Sequence, residues 1–324
     1  MPRRAYRGVA LAALIFFVVQ VGALALVPTF FEQGYQTVED PTDPTNSLLY
    51  IGAIIGMTAF MLAAFKYDLD QLIRVIIVFT SGLLSWYVFA AILPSGLLAI
   101  GLSAAVAIAL LVYPEWYVID TAGALMGAGA AGLFGISFGL LPALVLLSVL
   151  AVYDAISVYK TKHMLDLAEG VMDLRIPVVL VIPTTWSYSL LDDDFARDAN
   201  DVGENADEDG VDDGADADAD PADRDAFFIG LGDAVMPTVM VASAAFFSTA
   251  PSLGIAALPA LNLPALLAMV GTFVGFAALM WAVMKGRAHA GLPLLNGGAI
   301  GGYVLGSVAA GVPLVSALGL APYL

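Results

Sequence analysis

A chain of 324 residues that is 60% apolar, with a mean hydropathy of +0.89, is far richer in apolar side chains than a soluble domain, in which roughly 45 to 50% is usual. It is an integral membrane protein without cysteine, so disulfides, thiolate nucleophiles and thiolate metal cages are excluded, and His163 and His289 alone do not make a histidine metal site. The net charge of -17 is gathered in one place: residues 192–225 hold sixteen acidic residues and two arginines, a net of -14.

After Arg3, Arg4 and Arg7, the apolar run 8–27 is long enough to cross a bilayer. Its apolar core exceeds the roughly 7 to 15 residues of a signal peptide, so it is expected to stay as a first helix. The loop that follows carries Glu32, Glu39, Asp40 and Asp43 and no basic residue. Further apolar runs at 46–65, 71–93, 95–113, 118–137, 141–160, 226–249, 254–284 and 292–312 complete nine crossings. The fifth is rich in small residues, and Gly123 and Gly127 have the spacing that lets membrane helices approach closely.

Residues 161–225 separate the first six crossings (1–160) from the last three (226–324). Within them, His163 to Asp173 predicts a short amphipathic helix at the membrane surface. The stretch Arg175 to Pro183 is apolar but too short to cross, and suits a strand or a partly buried segment. Residues 192–225 have little to bury and repel themselves, which predicts a disordered acidic spacer. Scarce lysine beside abundant aspartate points to a halophilic source.

Cytoplasmic flanks collect lysine and arginine. With the N-terminus inside, all twelve basic residues, from Arg3 to Arg287, fall in inner segments or the helix ends beside them. The expected fold is therefore all-α and polytopic, with nine transmembrane helices, a cytoplasmic N-terminus, a cytoplasmic 161–225 loop and an extracellular C-terminus.

Two acidic residues stand deep in this frame. Asp233, in Gly230-Leu231-Gly232-Asp233, opens the seventh run, and Asp154 follows Tyr153 near the end of the sixth. An aspartate within a membrane helix costs about 2.5 to 3.5 kcal/mol on insertion scales, so each needs compensation or a use. The sixth run enters the cytoplasmic side and the seventh leaves it, which sets both carboxylates at similar depth. Asp120, near the start of the fifth, is the remaining, shallower candidate.

Two carboxylates a few ångströms apart do not both ionise easily, so one keeps its proton and the pair titrates as a unit. An aspartic protease uses that state: the ionised member takes a proton from a shared water while the protonated member polarises the scissile carbonyl. Such a pair also suits an ion relay, and topology alone leaves both open. Gly230 and Gly232 leave room for a polypeptide backbone beside the acid. Pro293 lacks an N–H and is expected to disrupt regular helix, freeing backbone groups for an extended substrate.

Tyr153-Asp154 in the sixth helix, Gly230-x-Gly232-Asp233 in the seventh and a proline motif at the head of the ninth together carry a resemblance. The chain resembles, over nearly its whole length, the presenilin and signal-peptide-peptidase family of GxGD intramembrane aspartyl proteases, in an archaeal form. The resemblance implies Asp154 and Asp233 as the catalytic dyad, and substrate contacts from Tyr153, Gly230, Leu231, Gly232, Pro293, Leu294 and Leu295. The family's Pro-Ala-Leu motif falls on Pro293-Leu294-Leu295, with leucine in place of alanine. It also implies a multi-pass protein of the cell membrane, in the presenilin-like orientation, that cleaves single-span transmembrane proteins or peptides within the lipid bilayer. No metal, organic cofactor or nucleic acid is implied, and the oligomeric state is left open, a homo-oligomer included.

The reading from another class is a transporter or ion channel that uses Asp154 and Asp233 as a proton or cation relay. Its expected signature, paired repeats with matched broken helices, is not found in the sequence. A prepilin-peptidase-like enzyme would share GxGD but differ in helix number and in the position of the partner aspartate.

Overall fold

In a computed structural model of the chain, which describes residues 3–67, 69–161, 176–186, 188–191, 226–284 and 290–324, apolar helices follow one another in the expected order. They are α1 (Arg3–Glu32), α2 (Thr45–Lys66), α3 (Asp70–Ile92), α4 (Gly96–Val112), α5 (Trp116–Ser137) and α6 (Leu140–Ile156), which ends in a wider turn over Ser157–Thr161. Strands β1 (Val179–Pro183) and β2 (Ala226–Gly230) precede α7 (Leu231–Phe247), α8 (Leu263–Val283), α9 (Gly291–Ala309) and the short α10 (Leu314–Ala317). Seven of the helices are long and apolar enough to cross a membrane, and α4 and α7 are shorter apolar helices. The surface helix expected at 163–173 and the acidic spacer at 192–225 lie outside the described residues.

Two helices start well inside their expected runs. The seventh run was expected as helix from residue 226, but Ala226–Gly230 pairs antiparallel with β1, Val179 opposite Gly230 and Pro183 opposite Ala226. An apolar run long enough for a helix is thus shared between a strand and a shorter helix, because β1 offers its backbone a partner. The eighth run was expected from residue 254, but α8 starts at Leu263. Gly254 takes a left-handed φ of +72° and Pro259 has no N–H to give, so the chain turns there instead. Asn262 then starts α8 by accepting from the Ala265 amide at 2.9 Å, while its own amide donates to the Ala244 carbonyl at the end of α7 at 2.9 Å.

Helix α5 runs through the middle of the protein, and its glycines are what its neighbours touch. A Cβ at Gly123 would lie 2.9 Å from Leu180 of β1, one at Gly129 would lie 2.8 Å from Val88 of α3, and one at Gly132 would lie 3.1 Å from Phe30 of α1. At Gly135 it would collide with Ala242 of α7. In a membrane, where apolar surface gains little by leaving lipid, this close backbone approach supplies the packing. Helices α8 and α9 use the same device more strongly: Gly271 meets the Gly298 backbone, Gly275 the Leu294 carbonyl and Gly302 the Leu267 carbonyl.

The hairpin end of α5 holds the segment that leads to α7. Buried Glu115, the residue before α5, accepts from Ser189 Oγ at 2.6 Å, the Leu190 amide at 3.1 Å and the Trp116 amide at 3.3 Å. Trp116 Nε1 donates to the Tyr188 carbonyl at 3.1 Å, and Asp120 accepts from the Val181 amide of β1 at 2.8 Å.

Burial would raise the Glu115 carboxyl, but these donors outweigh it and hold the group below its ordinary value of 4.5. A carboxylate lowered on folding stabilises the folded state above its unfolded value and loses that contribution as pH falls through the folded one. Acidification below about pH 4.5 should therefore loosen residues 188–190 from α5. Tryptophan fluorescence reads this, since Trp116 and Trp186 are in ring contact at 6.0 Å. The wild-type signal should shift in that window, whereas Glu115→Gln, which has no proton to gain, should show no such transition.

Candidate active site

Asp154 and Asp233 reach the same point from different helices. Asp154 lies in the last turn of α6 and Asp233 is the third residue of α7, directly after β2. Both face the first turn of α9, whose leading amides have no intrahelical acceptors. Asp154 Oδ2 accepts from the Leu292 amide at 3.0 Å, with the Gly291 amide also turned toward it. The Ala290 amide donates to the Tyr159 hydroxyl at 3.3 Å, and Pro293 has no N–H to satisfy. The Ala290 and Leu292 amides of α9 are thus met by the end of α6, and Pro293 has none to satisfy.

Asp233 approaches the same turn through the α-carbon side. A Cβ built on Gly291 would lie 3.0 Å from each Asp233 carboxylate oxygen and 3.1 Å from its Cγ. A larger residue here would push the Asp233 carboxylate back. Negative charge beside a helix N-terminus is favoured by the helix dipole, so α9 supplies part of the compensation that two membrane carboxylates require.

The other residues singled out in the sequence divide into two sets. Gly230 and Gly232 are exposed; a Cβ on Gly230 would meet Asp233 Oδ2 at 3.6 Å and one on Gly232 would meet nothing within 4 Å. Tyr153 is half-buried beside Asp154, and Pro293 and Leu294 are half-buried at the head of α9. Leu231 and Leu295, by contrast, are core residues. Leu231 packs toward Gly123 and Gly127 of α5, and Leu295 has no exposed surface.

Pro293 does not break the helix as expected. It is the third residue of α9, a position whose amide has no partner within the helix in any case, so the proline is accommodated without loss.

Three features were not read from the sequence. Pro237 is inside α7, four residues after Asp233, and its missing N–H leaves the Asp233 carbonyl without its helical donor. Tyr159 caps α9 from a wider turn that no apolar periodicity announces. Asn296, fully buried one turn beyond Leu292, donates to the Leu147 carbonyl at 3.0 Å and ties α9 to α6 a second time. The spacing of Pro237 from Asp233 was visible in the chain; the contacts of Tyr159 and Asn296 require the three-dimensional arrangement.

Residues 13–312 match the family model described as signal-peptide peptidase, presenilin aspartyl protease. Among solved structures, the chain is similar to a presenilin family intramembrane aspartate protease in two crystal forms. In the C222 form the identity is 32%, with 93% of this chain and 99% of that chain covered and a TM-score of 0.62. In the P2 form the identity is again 32%, with 92% and 96% covered and a TM-score of 0.59. No curated protein sequence matches the chain significantly.

The contact at Gly291 predicts an asymmetry between two glycines of the site. Gly291→Val should destabilise the protein by about 1 to 3 kcal/mol by overpacking against Asp233. Gly232→Ala, which enters open space, should change stability by less than about 1 kcal/mol. Denaturation of both variants in the same detergent checks the difference.

Proposed function

Because the chain belongs to the signal-peptide peptidase and presenilin family of aspartyl proteases, and is thus an intramembrane aspartic endopeptidase of a multi-pass membrane protein, we propose that Asp154 and Asp233 are its catalytic pair. The observation that carries this assignment is their convergence on the first turn of α9, Asp154 on the Leu292 amide and Asp233 against Gly291. One member is ionised and removes a proton from water. The other is protonated and donates to the scissile carbonyl, so that the oxygen of water adds to the carbonyl carbon. The tetrahedral adduct then releases the amine, which takes up a proton as the C–N bond breaks. No metal takes part.

A transmembrane substrate hides its peptide bonds in its own helical hydrogen bonds, so it must unwind locally to be cut. Open space at Gly232, the exposed Gly230, and the half-buried Tyr153, Pro293 and Leu294 give the unwound stretch a place beside the acids. Strand β2, paired with β1, ends directly at the acids and gives the unwound stretch an extended neighbour. Leu231 and Leu295 support this surface from behind by anchoring α7 and α9 in the core.

The complete arrangement has nine spans, with α4 and α7 crossing as the two shortest. Helices of 17 residues extend about 26 Å, slightly under a hydrocarbon core of about 30 Å. The placement of all twelve basic residues supports a cytoplasmic N-terminus, a cytoplasmic 161–225 loop, an extracellular C-terminus and water entry from the cytoplasmic side. Substrates are then single-span helices whose N-termini face outside. The composition supports a halophilic archaeal source and a solvated spacer at 192–225.

Reconstitution in liposomes with a helical transmembrane peptide tests the pair. Asp154→Asn and Asp233→Asn should each lower cleavage by about a thousandfold or more while leaving the protein folded. Cleavage at the wild-type rate in either variant would remove that residue from the dyad.

A further inference from the structure

Asp120 is buried in α5 and takes no part in the proposed chemistry, yet it is the group through which α5 grips the hairpin. Its Oδ1 accepts from the Val181 amide at 2.8 Å, and its Oδ2 is buried with no hydrogen-bond partner among the described residues. A buried carboxylate with one idle oxygen is costly to maintain, and an apolar side chain would fit the surrounding cluster of Ile119, Ala122 and Val181 more cheaply. What the carboxylate supplies in exchange is a single backbone bond, at a specific place in the sheet.

That place follows from the pairing. Val181 stands opposite Phe228, and the Leu231 amide donates to the Val178 carbonyl at 2.7 Å. Alternation along an antiparallel pair then makes 178, 180 and 182 the residues that bond toward β2, so the Val181 amide points away from β2. Asp120 meets it there, in the position a third strand would occupy. A one-residue slip of β1 would turn its side chains to the opposite face and take Leu180 away from Gly123 of α5, so the Val181 bond and the Leu180 contact coexist only in this register. The second fixed point is Leu231, packed toward Gly123 one turn further along α5. Between these points lies the short path from β1 through β2 to Asp233.

We propose that Asp120 is a positioning residue of the protease: it holds β1 against α5 and fixes the register at which β2 delivers Asp233. The proposal rests on the reading of Asp154 and Asp233 as the dyad. Asp120 acts as a hydrogen-bond acceptor, so its charge is dispensable and its oxygen is not. Because a misplacement of about 1 Å can cost roughly a hundredfold in rate, loss of this one bond is read in the chemistry and in the site of cutting.

The test measures kcat, KM and product masses for a transmembrane peptide in liposomes, using full-length protein selected as folded by size-exclusion chromatography. Asp120→Ala should lower kcat by about tenfold or more with KM within about threefold, and should add products cut at displaced bonds. Asp120→Asn keeps the acceptor and should restore both the rate and the single cleavage pattern. Val181→Pro removes the same bond from the donor side and should reproduce the Asp120→Ala products; it serves also where Asp120→Ala does not fold. Native rate and product masses in Asp120→Ala, or in Val181→Pro, would overturn the proposal, as would Asp120→Asn behaving like Asp120→Ala. Asp233→Asn run beside them separates the two readings: its activity would refute the dyad, whereas its inactivity beside a native Asp120→Ala would refute only the role of Asp120.

Discussion

The head of α9 is a helix N-terminus whose leading donors need acceptors, and the structure provides them almost entirely from the end of α6. Tyr159 takes the Ala290 amide, Asp154 takes the Leu292 amide with Gly291 beside it, and Pro293 has no donor. This one set of bonds explains several facts together. It stabilises a carboxylate where a membrane helix would otherwise exclude one, it fixes the distance between α6 and α9, and it makes Gly291 the residue against which Asp233 closes.

A joint of this kind works only if three helices meet within a few ångströms, and glycine provides the approach. Gly291 admits Asp233, Gly275 admits the Leu294 carbonyl of α9, and Gly123 admits the hairpin residue Leu180. Each removes a side chain where another element must pass. The Asn296 bond to Leu147 repeats the α6 to α9 contact one turn deeper, so α9 is held at two heights. On the other flank, Glu115, Trp116 and Asp120 fasten the segment that carries α7 into place. The acids are therefore set by backbone-directed bonds from α5 and to α9, with no ion pair at Asp154 or Asp233 among the described residues.

Much of this was legible in the chain, because membrane burial writes long apolar runs and makes any interruption conspicuous. The order of the helices, the strand-or-segment at 175–183 and the two deep aspartates all followed from that contrast. The ends of α7 and α8 did not, since a run such as Ala226–Gly230 satisfies helix and strand equally until a partner strand is known. Pro293 misled for a related reason: a proline inside a helix breaks it, but the same proline in the first turn costs nothing, and only the boundary at Gly291 tells the two apart. The Asp120 bond was beyond the sequence altogether, because the chain shows an acidic residue near a helix end but not the amide that faces it.

The first turn of α9 sits against the two acids, and the absence of cysteine allows this contact to be tested cleanly. A Cβ at position 291 falls 3.1 Å from Asp233 Cγ, which is close to the separation of about 3 Å between a Cβ and the far sulfur of a disulfide. In Gly291→Cys combined with Asp233→Cys, mild oxidation in the membrane should close a disulfide within one chain, seen by mass spectrometry as the loss of two hydrogens and by resistance to alkylation. Two freely alkylating thiols in the oxidised, folded protein would contradict the account.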